Sequence, residues 1–261
     1  PHDHARSRVY RWGEDGIAGI SDYNQYLCFA ITVWNHKDPI LKERFFGLTN
    51  GEGNHGEDCK ELYYFLDNTP THSYMRILYK YPQAAFPYEE LVRVNRERGK
   101  TEPEFELLDT GVFDHNRYFD IIVEYAKIDS EDILVRIEIL NRGDEPAELT
   151  VMPTLWFRNN WSFHTNVEKP SLKLARDQFG SYIIVKHPHL SNYHFYFQQP
   201  ANTVLFTENE TNQQRLYGIP NAHPYVKDAF HEVIVNGNSG LLNEKAEGTK
   251  VSPVYNINLA A

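Results

Sequence analysis

Tyr118-Phe119-Asp120-Ile121-Ile122-Val123-Glu124-Tyr125-Ala126, followed by Ile133-Leu134-Val135-Arg136-Ile137-Glu138-Ile139-Leu140, carries the pattern that decides the fold. In the first run Ile121, Val123 and Tyr125 alternate with Ile122, Glu124 and Ala126. In the second, Ile133, Val135, Ile137 and Ile139 alternate with Leu134, Arg136, Glu138 and Leu140. Successive side chains of a strand point to opposite faces, so a period of two predicts antiparallel strands with one face in a core. Val135 and Ile137 fall on the expected inward face. Asn141-Arg142-Gly143-Asp144-Glu145 reads as a turn, after which Leu149, Val151, Pro153, Leu155 and Phe157 resume the alternation. Residues 132–158 are therefore expected to form a hairpin, preceded by a partner strand, in a β-sandwich.

Outward from this stretch the strand signal recurs. Tyr26 to Trp34 is almost wholly apolar or β-branched, as a strand covered on both faces requires. Further strands are expected at 61–66, 74–79, 181–186, 193–198 and 204–208, with Asn256 to Ala261 stopping inside another. Helical signals converge only on Pro87 to Arg98, which has Pro at its start, Glu89 and Glu90 in the first turn, arginines at 93, 96 and 98, and Gly99 beyond. Arg11 to Gly19, with glycines at 13, 16 and 19, reads as a structured loop. Asn35 to Lys60 reads as a long polar excursion anchored by Ile40, Leu41, Phe45, Phe46 and Leu48. The expectation is one all-β domain over residues 1–261, a large antiparallel sandwich with long loops and one short helix. The chain reads as a fragment truncated at both ends.

Composition narrows the function. Charged residues are 24% and apolar residues 41% of the 261, a globular balance. Lys and Arg total 26 against 36 Asp and Glu, and a net charge of −10 repels nucleic acid and anionic membranes, so neither is expected as a partner. The longest apolar run, Leu27 to Trp34, is far short of the roughly 20 residues that span a bilayer. Cys28 and Cys59 are the only cysteines and form no CxxC pair; two free thiols in a reducing, cytoplasmic setting are expected.

Three chemistries have residues to rest on. Acids near glycines (Glu14, Asp15, Glu52, Glu57, Asp58, Asp109, Asp114) could supply the carboxyl pair that glycosidic cleavage needs, or could be solvated loop carboxylates. His187 and His189 flank Pro188, and His2 and His4 alternate, but no third ligand follows at a characteristic spacing, so no metal and no cofactor is expected. Aromatic residues are 14% of the chain, and Trp and Tyr beside polar groups suit sugars. Phe29, Trp34, Phe65 and Trp156 read as core; Trp12 and Trp161 sit beside loop residues and suit either role. Asn160-Trp161-Ser162 and Asn209-Glu210-Thr211 match the glycosylation sequon.

Several longer strings occur in one order: Arg11 to Ile17, Lys37 to Arg44, Gly53-Asn54-His55-Gly56-Glu57-Asp58, Thr71 to Met75, Tyr79 to Gln83, Leu108 to Asp114 and Pro153 to Asn159. In these the chain resembles the N-terminal region of long proteins related to glycoside hydrolase family 63, which groups processing α-glucosidases and mannosylglycerate hydrolase-like enzymes. The resemblance implies a non-catalytic N-terminal sandwich that packs on an inverting (α/α)6 barrel, a barrel this chain does not contain. It places both catalytic carboxyl groups outside the chain, so no catalytic residue is carried over. The expected partners are that barrel and an oligosaccharide or glycoside substrate with α-linked glucosyl or mannosyl units. Trp12, Glu14, Asp15, His55, Glu57 and Asp58 are the candidates for substrate positioning at the barrel's rim. A stand-alone carbohydrate-binding module and a structural interaction domain are the alternatives.

Overall fold

In the computed structural model, which describes residues 16–48, 58–99, 101–163 and 166–261, the patterned stretch forms β7 (Tyr118–Lys127) and β8 (Ile133–Asn141). They pair antiparallel from Phe119 opposite Asn141 to Lys127 opposite Ile133. Ahead of them β5 (Leu62–Asn68) and β6 (Tyr74–Pro82) join in the order β5-β6-β7-β8, each strand the sequence neighbour of the next. Ile77, Tyr79, Tyr81, Phe119, Ile121, Val123 and Tyr125 are buried on one face. The other face is laced by charge: Asp120 accepts from Lys80 and Arg142 at 2.6 Å each, and Glu124 lies between Arg76 and Arg136. A short β3–β4 pair (Gly47–Leu48, Asp58–Cys59) and α1 (Tyr88–Glu97) complete this unit. Leu91 of α1 packs with Phe46, Leu48, Phe86, Phe105 and Leu107 in an apolar cluster.

The second unit holds a five-stranded sheet, β1-β2-β9-β15-β13, and a four-stranded sheet, β12-β11-β10-β14. The first is built from β1 (Ile17–Ser21), β2 (Leu27–Trp34), β9 (Ala147–Phe157), β15 (Lys250–Leu259) and β13 (Thr203–Thr207). The second uses β10 (Ser171–Asp177), β11 (Gly180–Lys186), β12 (Tyr193–Tyr196) and β14 (Glu247–Gly248). Phe29 of β2 meets Phe195 of β12 edge to face at 5.8 Å, so the two sheets pack as layers. Within the larger sheet Thr32, Thr154 and Ser252 form a row of buried hydroxyls at 3.1 and 3.2 Å across β2, β9 and β15. Such a row satisfies polar groups that would otherwise be costly between covered strands. Two short helices, α2 (Gln213–Tyr217) and α3 (Ala229–Ile234), lie in this unit, and Phe230 of α3 packs on Leu41, Met152, Leu205 and Val254.

The chain is thus mostly antiparallel β and sandwich-like, its described residues falling into one compact unit over 16–34, 40–44 and 150–256 and another over 35–39, 45–149 and 257–261. Several expectations need correction. Residues 132–158 are not a hairpin: β8 pairs with β7, whereas β9 pairs with β2, Leu27 opposite Phe157 to Trp34 opposite Thr150. The polar turn explains the divergence, because Asn141 spends its side chain on Gly143 N and Glu145 O while Arg142 still donates its backbone N–H to Tyr118 O. Val135 shares the inward face but belongs to an edge strand and is 38% exposed, and Phe65, at the opposite edge, is 65% exposed. In the excursion 35–60 the expected anchors Leu41, Phe46 and Leu48 are buried, and Asp38 and Lys42 are buried with them. Residues 17–19 of the expected N-terminal loop belong to β1.

Candidate functional site

Of the residues nominated from sequence, Trp12, Glu14, Asp15, His55 and Glu57 lie outside the described residues. Asp58 pairs with Leu48 in the β3–β4 ladder, and only its backbone is described. Among the described residues there is no group of three or more His, Cys, Asp or Glu that could hold a metal. His187 and His189 follow β11 with ring centroids 5.7 Å apart, and His187 stacks on Tyr26 at 4.6 Å. The amide of His189 donates to His187 Nδ1 at 3.1 Å, which occupies one potential ligand atom.

The structure assembles a different site in the second unit. Asn159 Oδ1 accepts from Ser162 N and its Nδ2 donates to Ser162 Oγ, fixing a turn that presents Trp161 and Phe163. Beyond β13, Asn209 N donates to Thr249 Oγ1 and its Nδ2 to Phe157 O, which pins Glu210 beside that turn. Asn212 caps α2 through its Oδ1 and donates from Nδ2 to both Asp228 oxygens at 3.0 and 3.1 Å. Asn221 Oδ1 accepts from the amides of Gln213 and Gln214. Together these segments wall a cleft of about 140 Å³ whose lining includes Ser162, Phe163, Glu210, Gln213, Asn221 and His223.

Glu210 is the charged centre of the cleft. Its Oε1 accepts from Trp161 Nε1 and Lys169 Nζ, each at 2.9 Å, and its Oε2 pairs with His223 Nε2 at 3.0 Å. Burial pushes the carboxyl group's pKa up, but the Trp161 and Lys169 hydrogen bonds and the charges of Lys169 and His223 outweigh it and hold the group below its ordinary value. For Lys169 burial acts downward, and its bonds to Glu210 and Glu208 raise it above the usual lysine value. Phe163, by contrast, leaves its ring 61% exposed.

Trp161, ambiguous in the sequence, is a hydrogen-bond donor behind the carboxylate. Glu210, Gln213, Asn221 and His223 escaped the sequence reading, because no fixed spacing links residues 159–163 to 208–223. The sequon at 209 gave the one local hint, and it was misleading: Asn209 is 2% exposed and its amide nitrogen is bonded inward.

No protein-family model matches the chain, and no solved structure matches it. Among curated proteins, the "Uncharacterized protein YMR196W" of Saccharomyces cerevisiae is 42% identical over 287 residues, a match that takes in 98% of this chain. The chain spans 26% of that relative's length, so it is similar to about a quarter of a longer yeast protein.

Proposed function

We propose that the chain is the non-catalytic β-sandwich segment of a larger glycoside hydrolase acting on α-linked glucosyl or mannosyl substrates, packing on and shaping the sugar pocket of an (α/α)6 barrel. The observation that carries the non-catalytic part is Glu210. A glycosidase needs two carboxyl groups, one kept protonated and one ionised, and Glu210, whose hydrogen bonds with Trp161 and Lys169 favour its ionised form, is the one carboxyl group among the described residues lining this cleft. The order of family-like strings along the chain and the much greater length of the yeast relative support the hydrolase reading. The absence of a disulfide between Cys28 and Cys59 fits a cytoplasmic protein, and no helix among the described residues is long and apolar enough to cross a membrane.

The test is release of glucose or mannose from α-linked substrates by the full-length parent and by residues 1–261 alone. Turnover by the parent, absent from the segment, is the expected result. Turnover by the segment that is abolished by a carboxylate substitution within it would overturn the reading. A carbohydrate-binding module is the second reading, favoured by the exposed Phe163 ring beside the polar wall of the cleft.

A further inference from the structure

We infer that the cleft between Phe163 and the Glu210–His223 pair is a subsite for one neutral saccharide ring. The inference rests on the saccharide-handling part of the function proposed above and not on its hydrolase part. A pyranose offers a flat face of C–H groups and a rim of hydroxyls, and the cleft has a counterpart for each. The Phe163 ring is open to solvent at one wall, a platform for an apolar face.

The polar wall has bonding capacity left over. Among the described residues Glu210 Oε2 is paired with His223 alone, and a carboxylate oxygen has two lone pairs, so it can accept a hydrogen bond from a sugar hydroxyl. Gln213 lines the cleft with its amide N donating to Asn221 Oδ1, and its carboxamide carries both a donor and an acceptor that a hydroxyl could use. His223 Nδ1 is shut away from water with no partner. With Nε2 donating to Glu210, that nitrogen is an acceptor, and a modest turn of the ring toward a ligand hydroxyl would relieve the cost of leaving it unmet.

Charge selects a neutral ligand. Lys169 pairs with the Glu210 carboxylate, so a cation would compete with Lys169 and an anion would meet Glu210. The volume, about 140 Å³, suits one ring and not an extended chain.

The test is calorimetric titration and saturation-transfer NMR of residues 1–261 with methyl α-glucopyranoside and methyl α-mannopyranoside, with glucuronate and inorganic phosphate as charged controls. At least one neutral glycoside should bind saturably, and glucuronate at least about tenfold more weakly. Phe163→Ala should weaken binding about tenfold or more with unchanged melting, because the ring is exposed, and Gln213→Ala should weaken it less. No saturable binding of either glycoside, tighter binding of a charged control, or equal affinity in Phe163→Ala would overturn the inference. Binding by the segment without hydrolysis by the parent would remove the hydrolase reading and leave the subsite. Hydrolysis by the parent without binding by the segment would do the reverse.

Discussion

Tyr125 and Val135 face each other across the β7–β8 ladder, yet Tyr125 is 1% exposed and Val135 38%. One face of a sheet is therefore a core in its middle and a surface at its rim. A charge at Val123, buried one alternation from Tyr125, should cost about 3–5 kcal/mol as an unpaired buried carboxylate. Val135→Asp should cost less than about 1 kcal/mol. Urea denaturation of both variants checks this, and equal losses would mean that β8 is covered in solution.

Gly248 leaves no room for a side chain. A Cβ there would stand 2.3 Å from the Thr207 carbonyl oxygen, which is backbone and cannot swing away. Gly248→Ala should cost about 3 kcal/mol or more by overpacking. A thermal melt close to that of the parent sequence would refute the close approach of β14 to β13.

Stability should fall in two steps on acidification. Burial first, then the neighbouring His189, lowers the His187 pKa, against the opposing pull of Asp22. The unfolded chain then binds the proton more readily, so this contribution is whole above the ordinary histidine value of 6.5 and is lost as pH falls through the depressed folded value. Glu210 is also depressed in the fold, so its contribution is present above 4.5 and lost below that as the carboxyl group protonates. Denaturation midpoints across pH should lose the upper step in His187→Gln and the lower in Glu210→Gln.

Expression in a glycosylating host gives a further check. The sequon at 209 should carry no glycan on folded protein, because Asn209 Nδ2 donates to Phe157 O at 2.8 Å and the residue is buried. Peptide mass spectrometry finding full occupancy at Asn209 would contradict this packing.

What could be read from the sequence follows from physics that is local. Alternation found β7 and β8, and Pro87, Glu89, Glu90 and Gly99 delimited a helix that spans Tyr88–Glu97. Pairing was harder: nothing near Leu149 says that its strand will lie beside Ile31 and not beside Ile137, because that choice is made by residues more than a hundred positions away. β1 was hidden because Gly16 suggested a loop, whereas a Cβ there would meet that of Ala30 at 2.3 Å, so the glycine serves the close approach of chain to chain. The cleft was unreadable for the same reason as the pairing. Phe163, Glu210 and His223 meet only after β9, β13 and β15 have aligned, and each alone has an ordinary surface composition.

The interleaving of the two units along the chain bears on the order in which the protein can be made. β5 to β8 are consecutive in sequence and complete once residue 141 has been synthesised, and their contacts are nearer in sequence than those of the other sheet. The five-stranded sheet draws adjacent strands from residues 27–34, 147–157 and 250–259 and has to wait for the last of them. Contacts so distant in sequence form slowly, so β2, the most apolar strand, is made more than a hundred residues before its partner β9. Neither unit can be excised as one continuous segment, and a ribosome stalled between residues 141 and 147 would carry β5 to β8 complete and a Leu27–Trp34 strand paired with β1 but still lacking β9.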